Sequence, residues 1–96
     1  MPTSVMNARP QARRKIFQLG ELCLGDRSLR VHLLDVSEGG ARLHCPTVLS
    51  VGTAVTLCWQ QEHWRAVVVW AGSNKCGVRF IAPLALSSIE ALTAPL

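Results

Sequence analysis

Two short stretches of this 96-residue chain carry side chains suited to holding anions and bases. The first is Arg9-Pro-Gln-Ala-Arg13, followed at once by Arg14 and Lys15: four cations within seven positions, with no acid among them. A guanidinium presents a rigid fork of donors that fits phosphate oxygens or the O6/N7 edge of guanine. The second is Asp35-Val-Ser37-Glu-Gly-Gly40. Asp35 accepts hydrogen bonds from the amide or amino hydrogens of a base, and the Ser37 hydroxyl both donates and accepts. Gly39 and Gly40 permit positive φ and leave room for a ligand beside the backbone. Each stretch also has an ordinary reading, as a solvated basic tail and as a turn.

The elements that must position these residues follow from the pattern. Residues 1–15 hold Pro2, Asn7 and Pro10 and show no apolar period, so they read as a flexible arm ending in a basic hinge. From residue 16 to residue 96 short apolar runs alternate with turn signals, as in an all-β domain. A first strand spans 16–24, with Gly20 expected to mark a bulge. After turn chemistry at 25–28, Leu29, Val31 and Leu33 alternate with Arg30 and His32. Gly39 and Gly40 interrupt, and Ala41, Leu43 and Cys45 then alternate with Arg42 and His44 until Pro46. A fourth strand covers 54–60, with Val55, Leu57 and Trp59 on one face. A polar connection at 61–63 leads to a fifth over 64–70. Gly72-Ser73-Asn74 signals a hairpin into a sixth strand over 76–81. Past Pro83, Ser87-x-x-Glu90 has the spacing of a capping box opening a short helix. The expected fold is a small six-stranded antiparallel β-barrel with a short C-terminal helix, since closure removes exposed strand edges.

Composition narrows the function. Apolar residues at 49% against 17% charged give a globular balance, and one modest core is all a chain of this length builds. No apolar run approaches the ~18–20 residues that cross a bilayer, and the basic start lacks the apolar stretch of a secretory signal. No membrane insertion and a cytoplasmic location are therefore expected. Cys23, Cys45, Cys58 and Cys76 form no closely spaced metal set and read as free buried thiols. His32, His44 and His63 fall at positions that read as solvent-facing, with no paired nucleophile, so catalysis is not expected. The net charge of +4 asks for an anionic partner.

Taken together, the order R-x-x-x-R, then D-x-S-x-x-G, then Trp64-Arg-Ala-Val-Val-Val-Trp70 and Gly77-Val-Arg-Phe80 resembles the PilZ domain, from Arg9 to Pro83. The resemblance implies a split-barrel type fold and a non-catalytic receptor for the bacterial second messenger cyclic di-GMP, with no cofactor. It implies that Arg9 and Arg13 clamp the ligand and that Arg14 assists or replaces Arg13. Asp35 and Ser37 would bind base or phosphate groups, and Gly40 would supply backbone room. Many members carry Asn where Asp35 stands, and both accept hydrogen bonds. Trp70 is either core or an aromatic lying against the ligand. The absence of an attached output domain implies a protein partner in motility, chemotaxis or polysaccharide control, which the sequence does not name. Two other readings stay open: an adaptor of the same fold that binds no ligand, and a small basic barrel binding nucleic acid. The second is disfavoured because the charge is concentrated at one end.

Overall fold

In the computed structural model, residues 13–94 are described, and they form six strands and one helix. The strands are β1 (Arg14–Leu24), β2 (Arg27–Val36), β3 (Gly40–His44), β4 (Ala54–Trp59), β5 (Glu62–Gly72) and β6 (Lys75–Phe80), followed by α1 (Leu86–Thr93). Every pairing is antiparallel, and the sheet closes in the order β1-β2-β3-β6-β5-β4.

Three tight hairpins fix the register. Leu24 pairs with Arg27 around Gly25 (φ 59°), Trp59 with Glu62 around Gln60 (φ 55°), and Gly72 with Lys75 around Ser73 and Asn74 (φ 55° and 62°). Positive φ gives such two-residue turns the twist of the strands they join. Because these turns need only two residues, the strands reach further than the sequence suggests. Glu62 and His63 belong to β5 rather than to a connection, and Arg27 and Ser28 to β2. Likewise β1 begins at Arg14, so Arg14 and Lys15 pair with Val36 and Asp35 instead of lying in the arm.

The inward faces carry the core. Leu22, Leu33, Leu43, Leu57 and Val68 are wholly buried, and α1 adds Ile89 and Leu92. Truncating any one of these leucines to alanine should destabilise the domain by ~2–5 kcal/mol. The helix does not use the expected capping box. Its N-cap is Ala85, with no side-chain cap, and Ser87 already lies inside the first turn. Docking decides the start: the Leu84 N–H donates to the Glu38 carbonyl (2.9 Å), and Leu84 and Ile89 are buried. The Gln18 side chain in turn donates to the Leu92 carbonyl at 3.0 Å.

The bulge expected at Gly20 lies elsewhere. Gly20 pairs regularly with Val31, and the register shift falls between Lys15 and Gln18. A Cβ at Gly20 would sit 2.8 Å from the Cys58 carbonyl oxygen of β4, so this glycine serves a close approach of strands. Two further shifts fall between Leu33 and Asp35 on β2 and between Val68 and Trp70 on β5. Each places one extra residue in its strand and exchanges the inner and outer faces beyond it.

Candidate ligand-binding site

These last two irregularities build the site. Had β2 kept its alternation past Leu33, Asp35 would have followed Val31 and Leu33 into the core. The shift instead sends Val36 inward, fully buried, and brings Asp35 to the outer surface opposite Arg42. On β5 the same device keeps Val68 inside and turns Trp70 outward opposite Gly77. Cross-strand partners share a face. One row therefore crosses five strands on the outside of the barrel: Lys15, Asp35, Arg42, Gly77 and Trp70.

Asp35 lies at the middle of the charge. Its side chain is only 7% exposed, whereas those of its partners Arg13 and Arg42 are 56% and 43% exposed. Arg13 Nη1 donates to Oδ1 at 2.6 Å. Arg42 Nε stands 2.9 Å from Oδ2 as an ion pair, but its N–H is not aligned, and this buried nitrogen has no hydrogen-bond partner. A nearly buried carboxylate left without either arginine would be costly, while the exposed arginines tolerate the loss of the acid.

Gly77 makes the other wall. A Cβ there would collide with Nε1, Cδ1 and Cε2 of Trp70, so the indole lies flat on the β6 backbone and remains 42% exposed. Between the indole and the Arg13–Asp35–Arg42 cluster runs a cleft of about 260 Å³, floored by Ala41, Val69, Gly77 and Val78. Trp70 is thus a wall of this cleft and not core, in contrast to Trp59, which is buried and stacks on the half-buried Trp64 at 6.5 Å.

The other expected residues divide. Arg14 pairs with the core residue Val36, is exposed and does not line the cleft; Arg13 is the arginine that meets Asp35. Arg9 lies outside the described residues. Ser37 is buried and does not face the cleft: its N–H and its hydroxyl both donate to the Gly40 carbonyl, at 2.8 and 3.4 Å, closing the turn beside Asp35. Gly40 offers no space to a ligand and is not at positive φ, because the β6 backbone fills the position its Cβ would take, at the Val78 carbonyl.

Sequence reasoning missed Arg42, which reads as an ordinary outward residue of an alternating strand, and the place of Gly77 in the site, since Gly77 enters the resemblance only as the start of the Gly77–Phe80 strand. It also took His32 and His44 for solvated side chains. Both are half-buried: His32 stacks on the exposed Phe17 with ring centroids 4.9 Å apart, and His44 follows at 6.1 Å. The cysteines depart from expectation as well. Cys45 and Cys76 are buried, but Cys23 and Cys58 are half-buried, with their sulfurs 3.4 Å apart across β1 and β4. Burial first, and Cys23 beside it second, push the Cys58 thiol up to about 11. Burial, then Cys45, pushes Cys76 to about 11.

A family model described as the PilZ domain matches residues 7–94, from before Arg9 to the end of the helix. The chain belongs to the PilZ domain family. Domains of this family are non-catalytic receptors for cyclic di-GMP. A comparison with curated proteins gives no match. Among its described residues, this PilZ domain has no helix long and apolar enough to cross a membrane.

Proposed function

We propose that this PilZ domain binds cyclic di-GMP in the cleft between Trp70 and the Arg13–Asp35–Arg42 cluster and relays the event to a protein partner. One observation carries the reading: Arg13 and Asp35, one from each motif, meet at 2.6 Å on the wall of a cleft that also presents an indole face. The ligand brings two phosphate charges and two guanine bases. Arg13 exchanges its carboxylate for ligand acceptors, which frees Asp35 Oδ1 to accept the Watson–Crick-edge hydrogens of one guanine. Trp70 offers that base a stacking face. A volume of about 260 Å³ is below the ~300–1,000 Å³ of pockets that enclose a drug-sized ligand, so it suits one base and not the whole dinucleotide.

In this proposal Arg9, which lies outside the described residues, contacts the part of the ligand that the cleft leaves uncovered. Each charge-assisted contact contributes ~1.5–3 kcal/mol against the cost of ordering the groups that make it, so several contacts must form together. The occupied cleft, with the ligand's charge and shape added to it, supplies the surface a partner would read. Ser37 and Gly40 act behind the site, holding the turn and the β3–β6 contact that fix Asp35.

The test is calorimetric titration with cyclic di-GMP of the wild type, Arg13→Ala and Asp35→Ala. The expected result is saturable binding by the wild type and loss of at least ~100-fold in affinity for each variant. A folded wild type that gives no heat at high micromolar ligand overturns the proposal and leaves the adaptor reading. One observation favours a nucleic-acid reading instead: Phe17, 72% exposed, stacks on His32 outside the cleft. Binding of single-stranded DNA that collapses with added salt, without preference for guanine, would support that alternative.

A further inference from the structure

Arg42 stands in the site without belonging to either motif, and its geometry differs from that of Arg13. Arg13 precedes β1, whereas Arg42 is anchored in the middle of β3 with ladder partners on both sides, Asp35 and Gly77. Arg13 holds Oδ1 with an aligned hydrogen bond; Arg42 Nε, 2.9 Å from Oδ2, has none and is buried. In the pose in which Oδ1 meets Arg13, Oδ2 stands close to the Arg42 Nε without an aligned hydrogen bond. A buried donor in that state is unfavourable, and a small rotation of the carboxylate would satisfy it.

We infer that Arg42 is the positioning residue that takes over Asp35 when Arg13 is given up to a ligand, and that it thereby sets selectivity for guanine. The inference rests on the cyclic di-GMP reading of the cleft. Without Arg42, release of Arg13 would leave an almost buried carboxylate with neither of its arginine partners, and only Lys15 across the β1–β2 ladder as a cation on the same row. With it, Oδ2 turns to Nε, the charge stays paired, and Oδ1 is aimed into the cleft as the acceptor for the base. The empty domain leaves one donor unmet and the occupied domain meets it, so Arg42 biases the exchange toward the bound state. The carboxylate direction it fixes is what distinguishes a base carrying both an N1–H and an exocyclic amino group from one that lacks the amino group.

The test titrates the wild type, Arg42→Ala, Arg42→Lys, Asp35→Ala and the Arg42→Ala/Asp35→Ala pair with cyclic di-GMP and with its hypoxanthine analogue. Arg42→Ala is expected to weaken cyclic di-GMP binding by about 10–100-fold while weakening the analogue less, so that discrimination between the two shrinks. Arg42→Lys, which keeps the charge but loses the side-on Nε, should recover only part of the affinity and little of the discrimination. The double variant should bind no worse than Asp35→Ala alone. Because the Arg42 side chain is 43% exposed, the variants should keep the wild-type circular dichroism. Equal losses for both ligands, or losses that add in the double variant, reduce Arg42 to a general positive charge and overturn the inference. So does a wild-type profile in Arg42→Ala. If the wild type itself binds neither ligand, the cyclic di-GMP reading falls, and this inference with it.

Discussion

The outer surface of the barrel has two contrasting sides. Over β2, β3, β6 and β5, two register shifts bring Asp35 and Trp70 outward to either side of Arg42 and Gly77 and open a cleft. Along the β1–β4 seam the register runs without a shift through Glu21, Leu22 and Cys23 opposite Cys58, Leu57 and Thr56; on its outer face the Cys23 and Cys58 thiols meet between Glu21 and Thr56, beside a hollow of about 340 Å³. A regular ladder leaves each side chain where alternation puts it, whereas irregular ladders move polar and aromatic side chains to places alternation would not put them.

The contrast can be broken most severely at Gly40. A Cβ there meets the Val78 carbonyl, a backbone atom that cannot swing aside, so Gly40→Ala must separate β3 from β6 beneath the cleft. Destabilisation of about 3 kcal/mol is expected, lowering Tm by ~12–24 °C in a domain of this size. Calorimetric melting checks it; a Tm within a few degrees of wild type would show that the two strands can part freely.

Gly77→Ala should act on the site more than on the fold. The clash is with the Trp70 indole, which can leave the β6 backbone, so the wall of the cleft is lost. Affinity for cyclic di-GMP should fall at least ~10-fold with a stability loss of only ~1 kcal/mol. Trp70→Ala should weaken binding by about 10-fold through the stacking face alone and leave the melting curve nearly unchanged, since the side chain is 42% exposed. Equal affinity for wild type and Trp70→Ala would move the ligand away from this wall.

On the seam the expected effects are smallest. Cys58→Ser should bind cyclic di-GMP as the wild type does. Its signature is instead a pH dependence shared with Cys76. Both folded thiols titrate at about 11 against an ordinary 9.0, so the folded state holds these protons more tightly than the unfolded chain. Stability is unaffected below pH 9 and declines as the pH rises from about 9 to about 11. Urea titrations at pH 8 and 10.5 should show the decline, and Cys58→Ser should reduce it; a flat profile would mean the thiols ionise as freely inside the fold as outside it.

Much of the barrel was legible because it is local. The alternation of Val31 and Leu33, of Leu43 and Cys45, and of Val55 and Leu57 marked inward faces, and Asn74 marked a turn. The order of two motifs also pointed to Arg13 and Asp35 as residues of one site, though not to the ion pair they form with each other. What escaped was set by partners distant in sequence. Nothing in Leu33-Leu34-Asp35 or in Val68-Val69-Trp70 announces an extra residue, because the shift exists only relative to β3 and β6. Arg42 and Gly77 owe their places in the site to those same shifts. Gly40 was read as room for a ligand, when what approaches it is the neighbouring backbone. The start of α1 likewise followed tertiary docking of Leu84 and Ile89 and not the local Ser87–Glu90 spacing.

The ring of strands also limits how a message can leave this molecule. Among the described residues each strand has a paired neighbour on both sides, so little main-chain edge is on offer for a visiting peptide to zip onto; β1 meets β4 only over Glu21–Cys23, which leaves its first half without a strand on that side. A downstream protein is then left mainly with relief and charge, the contours and ionic pattern of the side chains. Occupancy of the cleft is then visible from outside only to the extent that it redraws that relief.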